Sequence, residues 1–216
     1  MDKQTAKLVA RIAENLPEME GEVMQGWIDK PKELQSFLLG LNPPKTSPAP
    51  QPLLEFVRTT TAPDTSEPFI ANAKFKLKKD GGICSYLGDN FNAWFLAGTG
   101  NIDAPGGETT LTIARLTKAS VDQLILDELG DKTDVALVDV FAKMEAQSKG
   151  QRGELLVDGR ANIFYIRDQD GVLRTVDVSW SGVGWYVNAG STGDAGRWVA
   201  AYQVFSRNSA LTYSAP

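Results

Sequence analysis

The residue types able to do chemistry are few, and the first of them is missing. No histidine occurs among the 216 residues. Histidine is the usual general base near neutral pH and the commonest metal ligand. Its absence excludes Ser-His-Asp and Cys-His catalysis and His-ligated zinc or iron. The single cysteine, Cys84, excludes an internal disulfide. Its neighbours Ile83, Tyr86 and Leu87 make it read as a small core residue rather than a nucleophile. Carboxylates remain. Asp122, Asp127, Glu128 and Asp131 cluster on one expected helix and read as a solvated face, with Mg²⁺ as the chemical alternative. Asp168-Gln169-Asp170-Gly171 begins like a calcium loop, but the twelfth position is Ser179, not glutamate, so a hairpin turn is expected. Gly98-Thr99-Gly100 lacks the third glycine of a dinucleotide loop. No metal site, cofactor or catalytic residue is expected from these patterns.

The elements that must position these residues fall into two parts. Leu8, Val9, Ile12 and Leu16 share one face at helical spacing, and Pro17 should end that helix. Val23, Trp27 and Ile28 form a second short apolar face. Pro31 suits the first turn of a third helix whose buried side is Leu34, Phe37, Leu38 and Leu41. Residues 1–42 therefore read as an N-terminal helical segment. Residues 43–52, PPKTSPAPQP, can hold neither a helix nor a central strand and read as a semi-rigid linker.

A second domain is expected over 53–216. Thr59 to Pro68 reads as a loop. FIANAKFKLKK from Phe69 alternates like a strand, with Lys74, Lys76 and Lys78 on its wet face and Lys79 beside them. Residues 81–108 suggest irregular structure around a short helix. Leu111, Ile113 and Leu116 give a strand. Ser120 is placed to cap a helix through Leu129, and Thr133 or Asp134 to cap one from Val135 to Gln147. The C-terminal third reads as strands around Ile163 and Tyr165, Val172 to Val178, Trp185 and Val187, and Gln203 to Phe205.

Net charge is −5 and the pI about 4.9. That balance disfavours nucleic acid, which needs a basic face. No apolar run approaches 18 residues and the N-terminus lacks a secretion-signal core, so neither membrane insertion nor secretion by that route is expected. The compartment is cytoplasmic by default, or a cell or virion surface if the protein is displayed.

One stretch differs from the rest. Residues 175–202, TVDVSWSGVGWYVNAGSTGDAGRWVAAY, hold Trp180, Trp185 and Trp198, three of the five tryptophans, and no Lys, Glu, Gln or Met. The types between the tryptophans can all be reached from the Asn codon AAC by changing its two adenines, whereas Lys, Glu, Gln, Met and Trp cannot. The bland reading is a strand-and-loop segment with a Trp-rich core. The sharper one is a frame carrying changeable surface positions, rich in types that binding loops favour.

DGVLRTVDVSWSGVGWYVNAGS and GRWVAAYQVFSRNS resemble the variable region of target proteins of diversity-generating retroelements. In that family an error-prone reverse transcriptase rewrites adenine-marked codons near the 3′ end of the gene. The resemblance covers about 160–209, with a weaker likeness from about 69. It implies an α+β protein with a C-type lectin-like domain. Its frame would be Val176, Val178, Trp180, Gly184, Trp185, Val187, Trp198, Val204 and Phe205. Its displayed, ligand-binding positions would be Asp177, Ser179, Ser181, Gly182, Val183, Tyr186, Asn188, Gly190, Val199, Ala201 and Tyr202. The implied function is binding of a protein or other surface macromolecule without catalysis, and without calcium. Two alternatives stand beside it: a structural or assembly protein that oligomerises through its N-terminal helices, and a Mg²⁺-using enzyme built on Asp122, Asp127 or Asp139.

Overall fold

A computed structural model describes residues 2–14, 20–40, 52–62, 64–194 and 196–207. The chain forms two compact units, residues 1–51 and 52–216. In the first, α1 (Lys3–Glu14), α2 (Gly21–Asp29) and α3 (Pro31–Gly40) are helical, with Pro31 opening α3 as expected. Helix α2 buries no residue and leaves Val23, Met24 and Ile28 exposed. The side chains of Leu8, Val9, Ile12, Phe37 and Leu38, together with Leu16, Pro17, Leu41 and the linker from 43 to 51, lie outside the described residues.

The second unit mixes helices with a large sheet. Its strands are β1 (Leu54–Ala62), β2 (Phe69–Ile70), β3 (Cys84–Leu87), β4 (Ile102–Asp103), β5 (Thr109–Leu116), β6 (Asn162–Arg167), β7 (Leu173–Trp180), β8 (Trp185–Ser191) and β9 (Gln203–Arg207). Seven of them pair in the order β1-β5-β9-β6-β7-β8-β3, and β2 pairs with β4 alone. The contacts β6–β9 and β3–β8 are parallel, and the rest of the large sheet is antiparallel.

Period-two alternation gives this sheet two faces. The inner face carries Ile113, Phe164, Val176, Val178, Val187 and Phe205, all fully buried. Helices α4 (Ala71–Lys74), α5 (Asp89–Phe91) and α7 (Leu137–Ala146) cover it with Ala71, Phe91, Leu137, Val140 and Met144. Among the described residues of 52–216, the outer face is covered by a helix over one half. There α6 (Asp122–Leu129) seats Ile125 and Leu129 against Leu116, Ile163, Tyr165 and Val204.

Several local expectations fail for identifiable reasons. Thr59–Ala62 belong to β1, since a run of β-branched threonines suits a strand better than a loop. FIANAKFKLKK is mostly not a strand. After β2 it turns helically, and Ala71 and Phe75, four apart, bury together in the inner core. Lys78 and Lys79 then lie in a 3₁₀ turn, Lys78–Asp80. Residues 81–108 contribute β3, an edge strand of the main sheet, besides α5 and its continuation into a π turn, Asn92–Leu96. Neither expected cap forms. Ser120 Oγ donates to Val121 O, and the amide of Val138 at the start of α7 donates to Asp103 Oδ2 at 2.8 Å, a partner 35 residues away.

Candidate functional site

The open half of the outer face lies over β7, β8 and β3. Strand alternation sends Thr175, Asp177 and Ser179 outward from β7, and the antiparallel register sets them beside Gly190, Asn188 and Tyr186 of β8. Tyr86 of β3 joins them, its ring centroid 5.3 Å from that of Tyr186. Asn188 Nδ2 donates to Asp177 Oδ2 at a long 3.4 Å. Thus five of the eleven displayed positions, Asp177, Ser179, Tyr186, Asn188 and Gly190, form one continuous surface. None of the five is buried, and Tyr186 is 42% exposed.

Ser181, Gly182 and Val183 are the tip of the β7–β8 turn, and all three are exposed. The turn closes through Ser181 N and Oγ, which both donate to Gly184 O, at 3.1 and 2.7 Å. Gly182 has φ 91°, where any side chain is strained, so turn geometry constrains that position. Gly190 has no such constraint, and a Cβ added there would come no closer than 3.8 Å to Asp194 Oδ2. Val199, Ala201 and Tyr202 are not gathered onto this face. Ala201 N donates to Leu116 O, and Tyr202 packs beside the cluster under α6.

The three tryptophans divide between the faces. Trp185 is fully buried in the inner core, where Nε1 donates to Met144 O at 2.9 Å and Trp180 packs edge-on at 5.2 Å. Trp198 lies half-buried on the outer face and donates from Nε1 to Asp122 Oδ1 at 2.7 Å.

Asp122 corrects the reading of a solvated acidic face. It is buried, and Tyr165 OH donates to the same Oδ1 at 2.8 Å. Burial raises its pKa against the hydrogen bonds from Trp198 and Tyr165 and the nearby Thr175 hydroxyl. Glu128 is engaged too, its two carboxylate oxygens accepting from the amides of Leu53 and Leu54 at 2.8 Å each. Asp122, Thr175, Asp177, Asp194, Arg197 and Trp198 line a cleft of about 220 Å³ at the boundary between the two halves. Burial also raises the pKa of Asp177, with the Asn188 bond opposing and the charge of Asp122 adding to the rise. Sequence reasoning missed Tyr86, Thr175 and Asp194 as neighbours of this site; the pairing of β3 with the distant β8 brings Tyr86 there, whereas Thr175 shares β7 with Asp177 and Asp194 follows β8 directly.

The remaining candidates are accounted for structurally. Cys84 is buried, and burial pushes its thiol up to about 12, so it stays protonated. Asp168 organises the β6–β7 hairpin. Its Oδ1 accepts from the amides of Asp170 and Val172, and its Oδ2 from Arg174 Nε at 2.7 Å. Burial would raise this carboxyl, but those bonds outweigh it and hold the pKa low. The Arg174 guanidinium lies 3.9 Å from the centroid of the Trp94 ring. Asp127 is exposed and accepts from Gln123 Nε2. Asp139 is buried in α7, on the face opposite Asp122, and burial raises it to about 6. Lys143 on the same helix pairs with Glu154 at 2.6 Å and donates to Thr60, which fastens α7 to β1. Asp122, Asp127 and Asp139 therefore do not converge, and among the described residues no group of three or more acidic or thiol side chains could hold a metal ion. Among the described residues, too, no helix is long and apolar enough to cross a membrane.

No protein-family model, curated protein or solved structure matches this chain.

Proposed function

We propose that this protein binds a protein or other surface macromolecule without catalysis, through the open half of its sheet. On this reading it is the variable target protein of a diversity-generating retroelement, and residues 52–216 are a C-type lectin-like domain. The observation that carries the reading is the sorting of the 175–202 segment. All eleven displayed positions reach solvent to some degree, and no frame position is exposed. A sheet half left without a covering helix is a surface that can change side chains at little cost to folding, because the other face holds the core.

Sequencing the 3′ end of the gene across its source population, with flanking DNA, tests the reading. Substitutions should concentrate at codons 177, 179, 181, 186, 188, 190 and 202, with a nearby near-copy carrying adenines there. Codon 185 should stay constant. Uniform variation and no template copy would remove the retroelement reading.

Assembly is a second reading, favoured by α2. Its Val23, Met24 and Ile28 are apolar and exposed. Light scattering on the full chain should then show a concentration-dependent mass that Ile28→Asp abolishes. A monomer at all concentrations would end it.

A further inference from the structure

The cleft at the boundary of the two halves holds three aspartates and one arginine. Their satisfaction is uneven. Both donors to Asp122 converge on Oδ1, and among the described residues none reaches Oδ2. Asp177 has one long bond, from Asn188. Asp194 is exposed and, among the described residues, accepts only from Ser191 N at 3.2 Å. Arg197 is exposed and pairs with no acid among the described residues. A second observation is independent of charge. Thr175 lines the cleft at 2% exposure, and among the described residues its Oγ1 has no hydrogen-bond partner, although it stands near enough to Asp122 to help hold that carboxyl down. A buried hydroxyl without a partner is costly unless a ligand or water completes it.

We infer that this cleft receives the guanidinium of an arginine side chain from a polypeptide partner. The shape, the charge and the wall agree on that group. A volume of about 220 Å³ lies below the roughly 300–1,000 Å³ of sites for drug-sized ligands, so it suits one side chain. Among the described residues no group of three or more acids or thiols could hold a metal ion, whereas a planar fork of five donors can reach separated carboxylates and a hydroxyl oxygen at once. Trp198 supplies an aromatic wall on which a guanidinium stacks. The net charge of −5 draws a basic partner toward the protein. The inference deepens the binding reading and rests on it for the approach of a macromolecule to the open face.

Calorimetric titration of the full chain at low salt with an acetylated, amidated Gly-Gly-Arg-Gly-Gly peptide tests this. The same peptide with citrulline, the neutral isostere, is the control. The arginine peptide should bind saturably and the citrulline peptide at least about tenfold more weakly. Asp177→Asn should weaken binding about tenfold. Asp194→Asn, on the exposed rim, should weaken it severalfold without touching the fold. Gly190→Val should block the cleft without changing charge. Equal binding of the two peptides, binding of neither, or unchanged affinity in both Asp177→Asn and Gly190→Val would overturn the assignment. Methylguanidinium binding as tightly as the peptide would overturn the polypeptide partner. The readouts separate the two claims. Varying codons with no arginine binding sink the cleft and spare the binding surface, while constant codons with arginine binding do the reverse to the retroelement reading.

Discussion

The two halves of the outer sheet face are made by adjacent strands and meet opposite fates. Over β5, β9 and β6 that face presents Leu116, Val204, Ile163 and Tyr165, and α6 closes on it with Ile125 and Leu129. Over β7, β8 and β3 it presents Thr175, Asp177, Ser179, Tyr186, Asn188 and Gly190, and no helix among the described residues of 52–216 closes on it. The inner face beneath is apolar and buried across both halves. One half of a sheet therefore needs only one good core to stay folded, and its other side is released for polar and aromatic residues. Asp122 stands at the seam. It begins α6, takes hydrogen bonds from Tyr165 in the covered half and from Trp198, and lines the cleft of the open half.

The sharpest way to break this comparison is at neighbouring residues of β8. Trp185→Ala should cost about 3–5 kcal/mol, because a fully buried indole in the inner core is lost. Denaturant unfolding should show a large fall in midpoint or no folded protein, and a loss under about 1 kcal/mol would refute a core role. Asp122→Ala should come next, at about 2–4 kcal/mol, since it strands the Tyr165 hydroxyl and the Trp198 indole N–H without an acceptor. If the seam is intact without Asp122, chemical unfolding will show wild-type stability.

A smaller effect distinguishes the inner face by pH. The Asp139 carboxyl is raised from its ordinary 3.8 to about 6, first by burial, and among the described residues its Oδ2 has no hydrogen-bond partner. A raised carboxyl favours the folded state most while protonated. Its contribution is fully present below about pH 4 and is lost as pH rises through about 6. Asp139→Asn should therefore be more stable than wild type by about 1–2 kcal/mol at pH 7, and the gain should vanish near pH 4. A gain that persists there would point to packing instead. The smallest effect belongs to the open half. Tyr186→Ser and Ser179→Asn should each change stability by under about 1 kcal/mol while changing ligand binding. A loss comparable to Trp185→Ala would mean that the open half is core in disguise.

Much of the open half was legible because strand alternation is a local rule. Val176 and Val178 against Asp177 and Ser179, and Trp185 and Val187 against Tyr186 and Asn188, sort correctly into buried and solvent-reaching sets. The DQDG hairpin was legible for the same reason, as turn chemistry sits in adjacent residues. FIANAKFKLKK was misread because its spacing satisfies two periods at once. Which one wins depends on where Phe69, Ala71 and Phe75 find a core. Asp122 was misread because its indole and phenol partners lie 76 and 43 residues away. The same distance hid the Asp103 cap of α7.

By itself the sequence determined which residues of β7 and β8 alternate between the two faces, that a change of composition separates residues 1–42 from the rest, and that histidine chemistry is closed to these 216 residues. It did so because side-chain period, proline content and residue type are properties of short stretches. Only the tertiary structure decided which face is left uncovered and which aspartates meet. It also decided that Trp198, unlike Trp180 and Trp185, stands at a cleft. Those outcomes depend on strand order and on where one short helix docks, and both are fixed by contacts between residues far apart in the chain.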